Sequence, residues 1–280
     1  MADIKAADVA ALRKATGAGM MDCKKALAEN AGDMEKAKDW LRTQGLAGSS
    51  RSGRTASDGA VEVLVDGNVG AVAELVAETD FVAKGGLFTE TVNNLARLAF
   101  EHAKVELADL PFEGSTVREH VTQLASSLGE NVALGQVVVF ETSDGLIDGY
   151  KHLQNERGTI GVLVELGGVD AADPKAREVA HDIALHVASA APRWVRREDV
   201  PADVLDKERA VLAELTRNEG KPENALEKIV EGRIGGFFKE NVLLEQGFVR
   251  DPKTTIANLV EGLGKEATVR RFARVKIGEE

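Results

Sequence analysis

A single cysteine, Cys23, stands among the 280 residues, so the chain has no internal disulfide and no cysteine-rich metal cluster, and it suits a reducing compartment. Long apolar runs are missing too: no stretch approaches the roughly 18 residues that a membrane span requires. The start, Met1-Ala2-Asp3-Ile4-Lys5, lacks the basic-then-apolar layout of a secretory leader. A cytoplasmic location is expected. Positive charge is scarce, with 35 Lys and Arg against 46 Asp and Glu for a net charge of −11, which opposes grip on a phosphate backbone. Aromatic residues make up only 4% of the chain, so the core must be aliphatic and any aromatic outside it calls for a reason.

Catalytic equipment is sparse as well. His102, His120 and His152 have no ligand-spaced neighbours, and His181 and His186 are poorly aligned for one helical face. No Gly-x-x-x-x-Gly-Lys-Ser/Thr loop offers to hold a nucleotide phosphate. Lys24 and Lys25 could lower the pKa of Cys23, but no histidine stands nearby as its base. Asp80 could act as a general base, without an identifiable partner acid. No metal, cofactor, membrane or direct nucleic-acid partner is expected.

What is present falls into two units of different charge. Residues 1–54 carry 10 basic and 7 acidic residues, a net +3, which leaves −14 for the remainder. Residues 45–58 are rich in Gly and Ser and poor in core residues, as a mobile linker requires. Ahead of it lie three short helical patterns, marked by Val9 and Leu12, by Met20 or Met21 through Leu27, and by Met34, Ala37 and Leu41. Gly17-Ala18-Gly19 separates the first two, and Asp33 offers an N-cap to the third. So small a bundle buries little surface. Met20 and Met21 are neighbours about 100° apart on a helix, so one can face this core while at least one is left for a partner.

The second unit reads as a duplication. Val61 to Val65 alternates, Asp66-Gly67 supplies a tight turn, and Val69 to Val76 returns as a second strand, followed by a helix from about Phe88 to Ala103. A strand segment at Gly149 to Leu153, a turn near Asn155 to Gly158, a strand at Thr159 to Leu166 and a helix at Lys175 to Ala190 repeat that order. Val69-Gly70-Ala71-Val72-Ala73-Glu74-Leu75 aligns with Ile160-Gly161-Val162-Leu163-Val164-Glu165-Leu166 at a shift of 91 residues. A helix near Ser115 to Leu128 and a strand at Gln136 to Phe140 sit between the copies. The copies differ in the loop after the central strand: the first reads Glu78-Thr79-Asp80-Phe81-Val82-Ala83-Lys84, whereas the second has no aromatic. Phe81 either folds back into the core or projects outward.

Beyond Val200, Pro201 opens a helix with Val204, Leu205, Leu212 and Leu215 as its apolar stripe. Gly220 stops it, and Pro222 opens a second with Leu226, Ile229 and Val230. This antiparallel hairpin either packs on its own domain or projects as an arm. A helix from about Lys253 to Leu263 and a strand-like Val269 to Ile277 follow.

Thr16-Gly17-Ala18-Gly19-Met20-Met21-Asp22-Cys23-Lys24-Lys25-Ala26-Leu27, then Thr79-Asp80-Phe81-Val82-Ala83-Lys84, and later Lys228-Ile229-Val230-Glu231-Gly232-Arg233, closely resemble the bacterial elongation factor Ts family. The resemblance implies an α+β fold: a three-helix (UBA-like) N-terminal domain at 1–44, a linker at 45–58, and duplicated α/β core subdomains with antiparallel strands at 59–143 and 144–280. The second subdomain would carry a helical coiled-coil hairpin at about 199–234. It also implies a guanine nucleotide exchange factor without covalent chemistry, whose partner is the GTPase elongation factor Tu in its GDP-bound and nucleotide-free forms. By resemblance Arg13, Met20 and Met21 dock on that partner, while Thr79, Asp80, Phe81 and Val82 intrude near its Mg²⁺ site and dislocate the ion. Some members of the family continue into a further C-terminal helix, and no contact of that kind is expected here. A non-catalytic adaptor or chaperone-like module using the same helices is the alternative.

Overall fold

The spacing of small and apolar residues at the start of the chain produces three helices: α1 (Ala6–Thr16), α2 (Met20–Glu29) and α3 (Met34–Thr43). The computed structural model describes residues 4–44, 55–103 and 105–279; most of the expected linker, at 45–54, lies outside them. Gly17 ends α1 in the left-handed region at φ 68°, where a side chain would be strained, and its N–H returns to the Arg13 carbonyl. Asp33 caps α3, its Oδ1 accepting the N–H groups of Glu35 and Lys36 at 3.1 and 3.2 Å. Val9, Leu12, Cys23, Ala26, Leu27, Ala37 and Leu41 form the core of this small unit.

The hairpin consists of β1 (Asp58–Asp66) and β2 (Val69–Ala77). Asp66 pairs with Val69, so the turn itself is Gly67-Asn68, one residue later than Asp66-Gly67. Gly67 sits at φ 59° at the first central position, the place where a two-residue II′ turn takes glycine. The stretch after β2 is not a plain loop: it contains one helical turn, α4 (Asp80–Ala83), before α5 (Gly86–Glu101). A short ladder of β3 (Pro111–Phe112) with β4 (Ser115–Thr116) leads into α6 (Val117–Leu128) and β5 (Val132–Glu141). β5 pairs with β2, giving an antiparallel sheet of order β1-β2-β5. The helix and strand expected between the copies thus belong to the first copy.

The second copy opens with β6 (Gly145–Gln154) and β7 (Arg157–Gly167), joined through Asn155 and Glu156 at φ 52° and 66°. Then come α7 (Pro174–Ala190) and the hairpin helices α8 (Ala202–Asn218) and α9 (Leu226–Asn241). The copy resumes with β8 (Gly247–Phe248), β9 (Asp251–Thr255), α10 (Ile256–Glu261) and β10 (Thr268–Lys276). Its sheet runs β10-β7-β6. Both copies therefore follow one plan: hairpin, helix, two-residue ladder contact, threonine-capped helix, third strand. Thr116 accepts from the Glu119 N–H and Thr255 from the Asn258 N–H in the same role.

The two sheets stack face to face. Val61, Val72, Phe140, Ile147, Leu163 and Val275 fill the space between them. At Gly70 a Cβ would lie 2.8 Å from Ile147 and 2.9 Å from Leu163, and at Gly161 it would lie 2.5 Å from Val61. These two glycines are the 91-residue equivalents of each other, so the repeat supplies one close approach from each sheet. Helices cover the outer faces, α5 and α6 on the first sheet and α7 and α10 on the second. The architecture is α+β in four layers.

The helical hairpin has its own apolar seam of Leu226, Val230, Ile234 and Phe238 with Val204, Leu205 and Leu212. Its base is tied down where Arg193 and Trp194 donate to the Asn241 carbonyl and Leu243 donates back to Trp194. α9 continues seven residues past the 234 expected for the hairpin's end, to Asn241. Leu215 is not in the seam; it is half exposed, and Thr216 is buried instead with its hydroxyl on the Leu212 carbonyl at 2.6 Å.

Candidate functional site

The long motif around Met20 separates into two sets of side chains. Thr16, Ala18, Cys23, Ala26 and Leu27 point inward. The Thr16 hydroxyl donates to the Leu12 carbonyl at 2.7 Å, and Cys23 Sγ reaches the Ala18 carbonyl at 3.7 Å, which braces the α1–α2 corner. Arg13, Met20 and Met21 point outward, the methionines 58% and 73% exposed. Both methionines, rather than one, are free of the small core. Burial pushes the Cys23 thiol up, outweighing the Thr16 hydrogen bond and the Arg13 charge, so the flanking lysines do not activate it.

The second set of residues lies on α4. Thr79 is extended, at φ −129° and ψ 153°, and its hydroxyl oxygen accepts the Val82 N–H at 3.4 Å, the N-cap that begins the turn. Val82 and Ala83 are buried in the core of the first copy and anchor the turn. Phe81 projects outward, 84% exposed, and Leu87 on the first turn of α5 is also exposed. Phe81 is thus a large aromatic left almost wholly in water on a turn whose next two residues, Val82 and Ala83, are core, so it takes no part in packing the first copy.

Asp80 is paired with Lys84 at 2.5 Å. That hydrogen bond and charge, with a smaller contribution from Arg157, hold its carboxyl below its ordinary value. It is therefore a fixed negative charge and a poor general base at neutral pH. Arg157 reaches toward the turn from the second copy, its Nη1 on Asp58 and on the Gly59 carbonyl, both at 2.5 Å.

Residues from the loop between α6 and β5 complete the site. The Glu130 carboxylate accepts the Thr79 N–H at 3.0 Å and the Thr79 hydroxyl at 2.6 Å, while Glu78 accepts the Asn131 N–H at 2.6 Å. Glu130 lies 51 residues from Thr79, and no local pattern ties it to the turn. Arg13, Met20 and Met21 share one corner, and Thr79, Asp80, Phe81 and Val82 share one turn. Among the described residues no hydrogen bond or ion pair joins the two groups.

His186 serves structure. It is buried, pushed down by desolvation, and links Gln246 at 2.9 Å to the Val249 N–H at 3.3 Å. Among the described residues no three His, Cys, Asp or Glu side chains are grouped to hold a metal ion, and no helix is long and apolar enough to cross a membrane.

Two family models match the chain: "Elongation factor TS" over residues 78–279 and "Elongation factor Ts, mitochondrial, N-terminal" over residues 1–48. Elongation factor Ts of Rhodospirillum rubrum is 45% identical, with 100% of this chain and 94% of the relative covered. That of Micrococcus luteus is 43% identical over 99% of this chain and 100% of the relative, and that of Rickettsia bellii 41% over 99% and 93%. Matches of this extent take in both motif regions and both copies of the core, so the chain belongs to the elongation factor Ts family of translation elongation factors.

Proposed function

We propose that this chain is the guanine nucleotide exchange factor for elongation factor Tu: it binds the GDP form, promotes release of GDP and leaves the site open to GTP. The observation that carries the reading is Phe81, exposed to 84% on a turn whose Val82 and Ala83 are core. In this reading the three-helix unit at 1–44 docks through Arg13, Met20 and Met21, and the linker at 45–58 joins it to the core subdomains at 59–143 and 144–280. Thr79, Asp80, Phe81 and Val82 form the wedge, with Val82 as its anchor and Asp80 and Phe81 as its contacting tip.

The chemistry needed is small. Mg²⁺ demands near-ideal octahedral geometry, so moving its surroundings by about an ångström weakens it. Burying Phe81 supplies about 2–3 kcal/mol. A 10⁴-fold acceleration requires about 5.5 kcal/mol, so the methionines and Asp80 must contribute as well. Whatever factor this protein takes from nucleotide affinity, nucleotide takes from its own affinity, which makes exchange reversible without any covalent step. The reaction would take place in the cytoplasm.

The test loads elongation factor Tu with a fluorescent GDP analogue and follows its release with excess GDP present. Micromolar amounts of this protein should accelerate release by orders of magnitude. Release at the spontaneous rate would refute the reading.

A further inference from the structure

The β2–β5 ladder ends at the pair Ala77 and Val132. Beyond it, side chains continue the pairing. Glu78 takes the Asn131 N–H, and one residue further Glu130 takes both the N–H and the hydroxyl of Thr79. This reciprocal clasp reaches the first residue of the turn that presents Phe81. It is built from two glutamates, each preceding the residue that the other strand offers.

The Thr79 hydroxyl has a single proton. Because that proton is committed to Glu130, the oxygen lone pairs face the Val82 N–H and cap the turn. A carboxylate can accept at both oxygens, one for the N–H and one for the hydroxyl, whereas an amide of the same shape accepts at only one. Among the described residues the second copy shows no such clasp: Val169 and Asp170 stand where the first copy has Glu78 and Thr79, the Asp170 carboxylate takes the Ala172 N–H of its own loop at 2.8 Å, and that loop holds no aromatic. Clasp and exposed aromatic occur in the same copy.

From this geometry we infer that Glu130 is a positioning residue of the wedge, holding the Asp80–Ala83 turn in its working conformation through Thr79. The inference rests on the exchange-factor reading. An aromatic on a frayed turn must be ordered during binding, and that ordering slows the step it serves. Glu130 removes the delay by ordering the turn beforehand.

The experiment measures release of fluorescent GDP from elongation factor Tu over a range of factor concentrations, using wild type, Glu130→Ala, Glu130→Gln, Thr79→Val and the Glu130→Ala/Thr79→Val double variant. Glu130→Ala should lower the maximal rate about tenfold while the half-saturating concentration changes less than about twofold, because docking through α1 and α2 is untouched. Glu130→Gln, which keeps the shape and one acceptor, should fall between. The double variant should lose no more than the worse single, since both substitutions break one unit. Hydrogen exchange at the Val82 and Ala83 amides should accelerate about tenfold in Glu130→Ala with the β2 amides unchanged, a readout independent of exchange activity. An unchanged maximal rate in folded Glu130→Gln and Glu130→Ala, or additive losses in the double variant, would overturn the inference. Failure of wild type to release GDP would sink the exchange-factor reading instead, and the amide exchange would still decide whether Glu130 holds the turn.

Discussion

Glu74 and Glu165 occupy equivalent positions on the two central strands and are equally buried, yet only Glu165 has cationic partners. Arg271 Nε lies 2.6 Å and Arg270 Nη1 3.2 Å from its carboxylate. Glu74 receives only the Gln136 N–H at 2.8 Å. Where the second copy places the arginines, the first has Gly135 and Gln136, and a Cβ on Gly135 would lie 2.4 Å from the Glu74 carboxylate. The duplicated carboxyl thus has two environments.

Those environments predict opposite pH effects. Burial raises the Glu74 carboxyl above its ordinary 4.5, against the weaker pull of the Gln136 N–H, so the folded state holds the proton that the unfolded chain releases. Its contribution to stability is favourable below 4.5 and is lost as pH rises through the raised value. Burial would raise Glu165 too, but hydrogen bonds from Arg271, Thr142 and Arg270 outweigh it and the net shift is down. Its contribution is present above 4.5 and is lost as pH falls through the lowered value. Glu74→Gln should therefore stabilise at pH 7 and not at pH 3.5. Glu165→Gln should destabilise at pH 7 by roughly 2 kcal/mol, less than for a fully buried pair because the guanidiniums are partly exposed. Urea denaturation at both pH values checks the pair, and the same sign for both substitutions at pH 7 contradicts it.

Phe81 and Phe88, seven positions apart, should separate function from folding. Phe88 is wholly buried in the first copy's core, so Phe88→Ala should cost about 3–4 kcal/mol of stability. Phe81→Ala should change stability by less than about 0.5 kcal/mol. It should nevertheless slow GDP release from elongation factor Tu by on the order of 30- to 100-fold, the rate equivalent of the burial it forfeits. A normal rate in the folded Phe81→Ala variant would remove Phe81 from the mechanism.

The methionines should act on docking. Met20→Ala and Met21→Ala remove exposed side chains, so thermal stability should hold in both. Each should raise the half-saturating concentration for exchange about five- to thirtyfold, corresponding to about 1–2 kcal/mol of contact, with a smaller effect at saturation. A fall in the saturating rate at constant half-saturation would assign them to the wedge step instead.

Cys23 offers a probe of the three-helix unit. Its thiol is buried and its pKa raised, so a thiol reagent at pH 7 should modify the native protein about a hundredfold more slowly than the chain in denaturant. Equal rates would show that this corner is open in solution.

Periodicity carried much of the fold. The apolar spacing and Gly17 located the three N-terminal helices, because short helices separated by glycine are specified by local conformational preference. The β1–β2 hairpin was legible from alternation around Gly67, though the turn shifted by one residue, since register depends on the whole ladder. The first half of the repeat was visible in aligned strands. Its second half was hidden because the α8–α9 hairpin interrupts the second copy and changes the offset between equivalent residues.

The sequence by itself determined the order of helical and strand segments, the unequal loops of the two copies and the identity of the motif residues, all of which depend on neighbours in the chain; the class of fold followed from the family resemblance those motifs carry. Tertiary structure alone decided that both Met20 and Met21 face outward, that Phe81 projects while Val82 anchors, and that Glu130 grips Thr79 across 51 residues. It also decided that Glu74 meets only a backbone N–H while Glu165 meets two arginines, although the two strands read alike. Exposure and pairing are properties of what packs alongside, and packing partners are chosen by the fold rather than by adjacency along the chain.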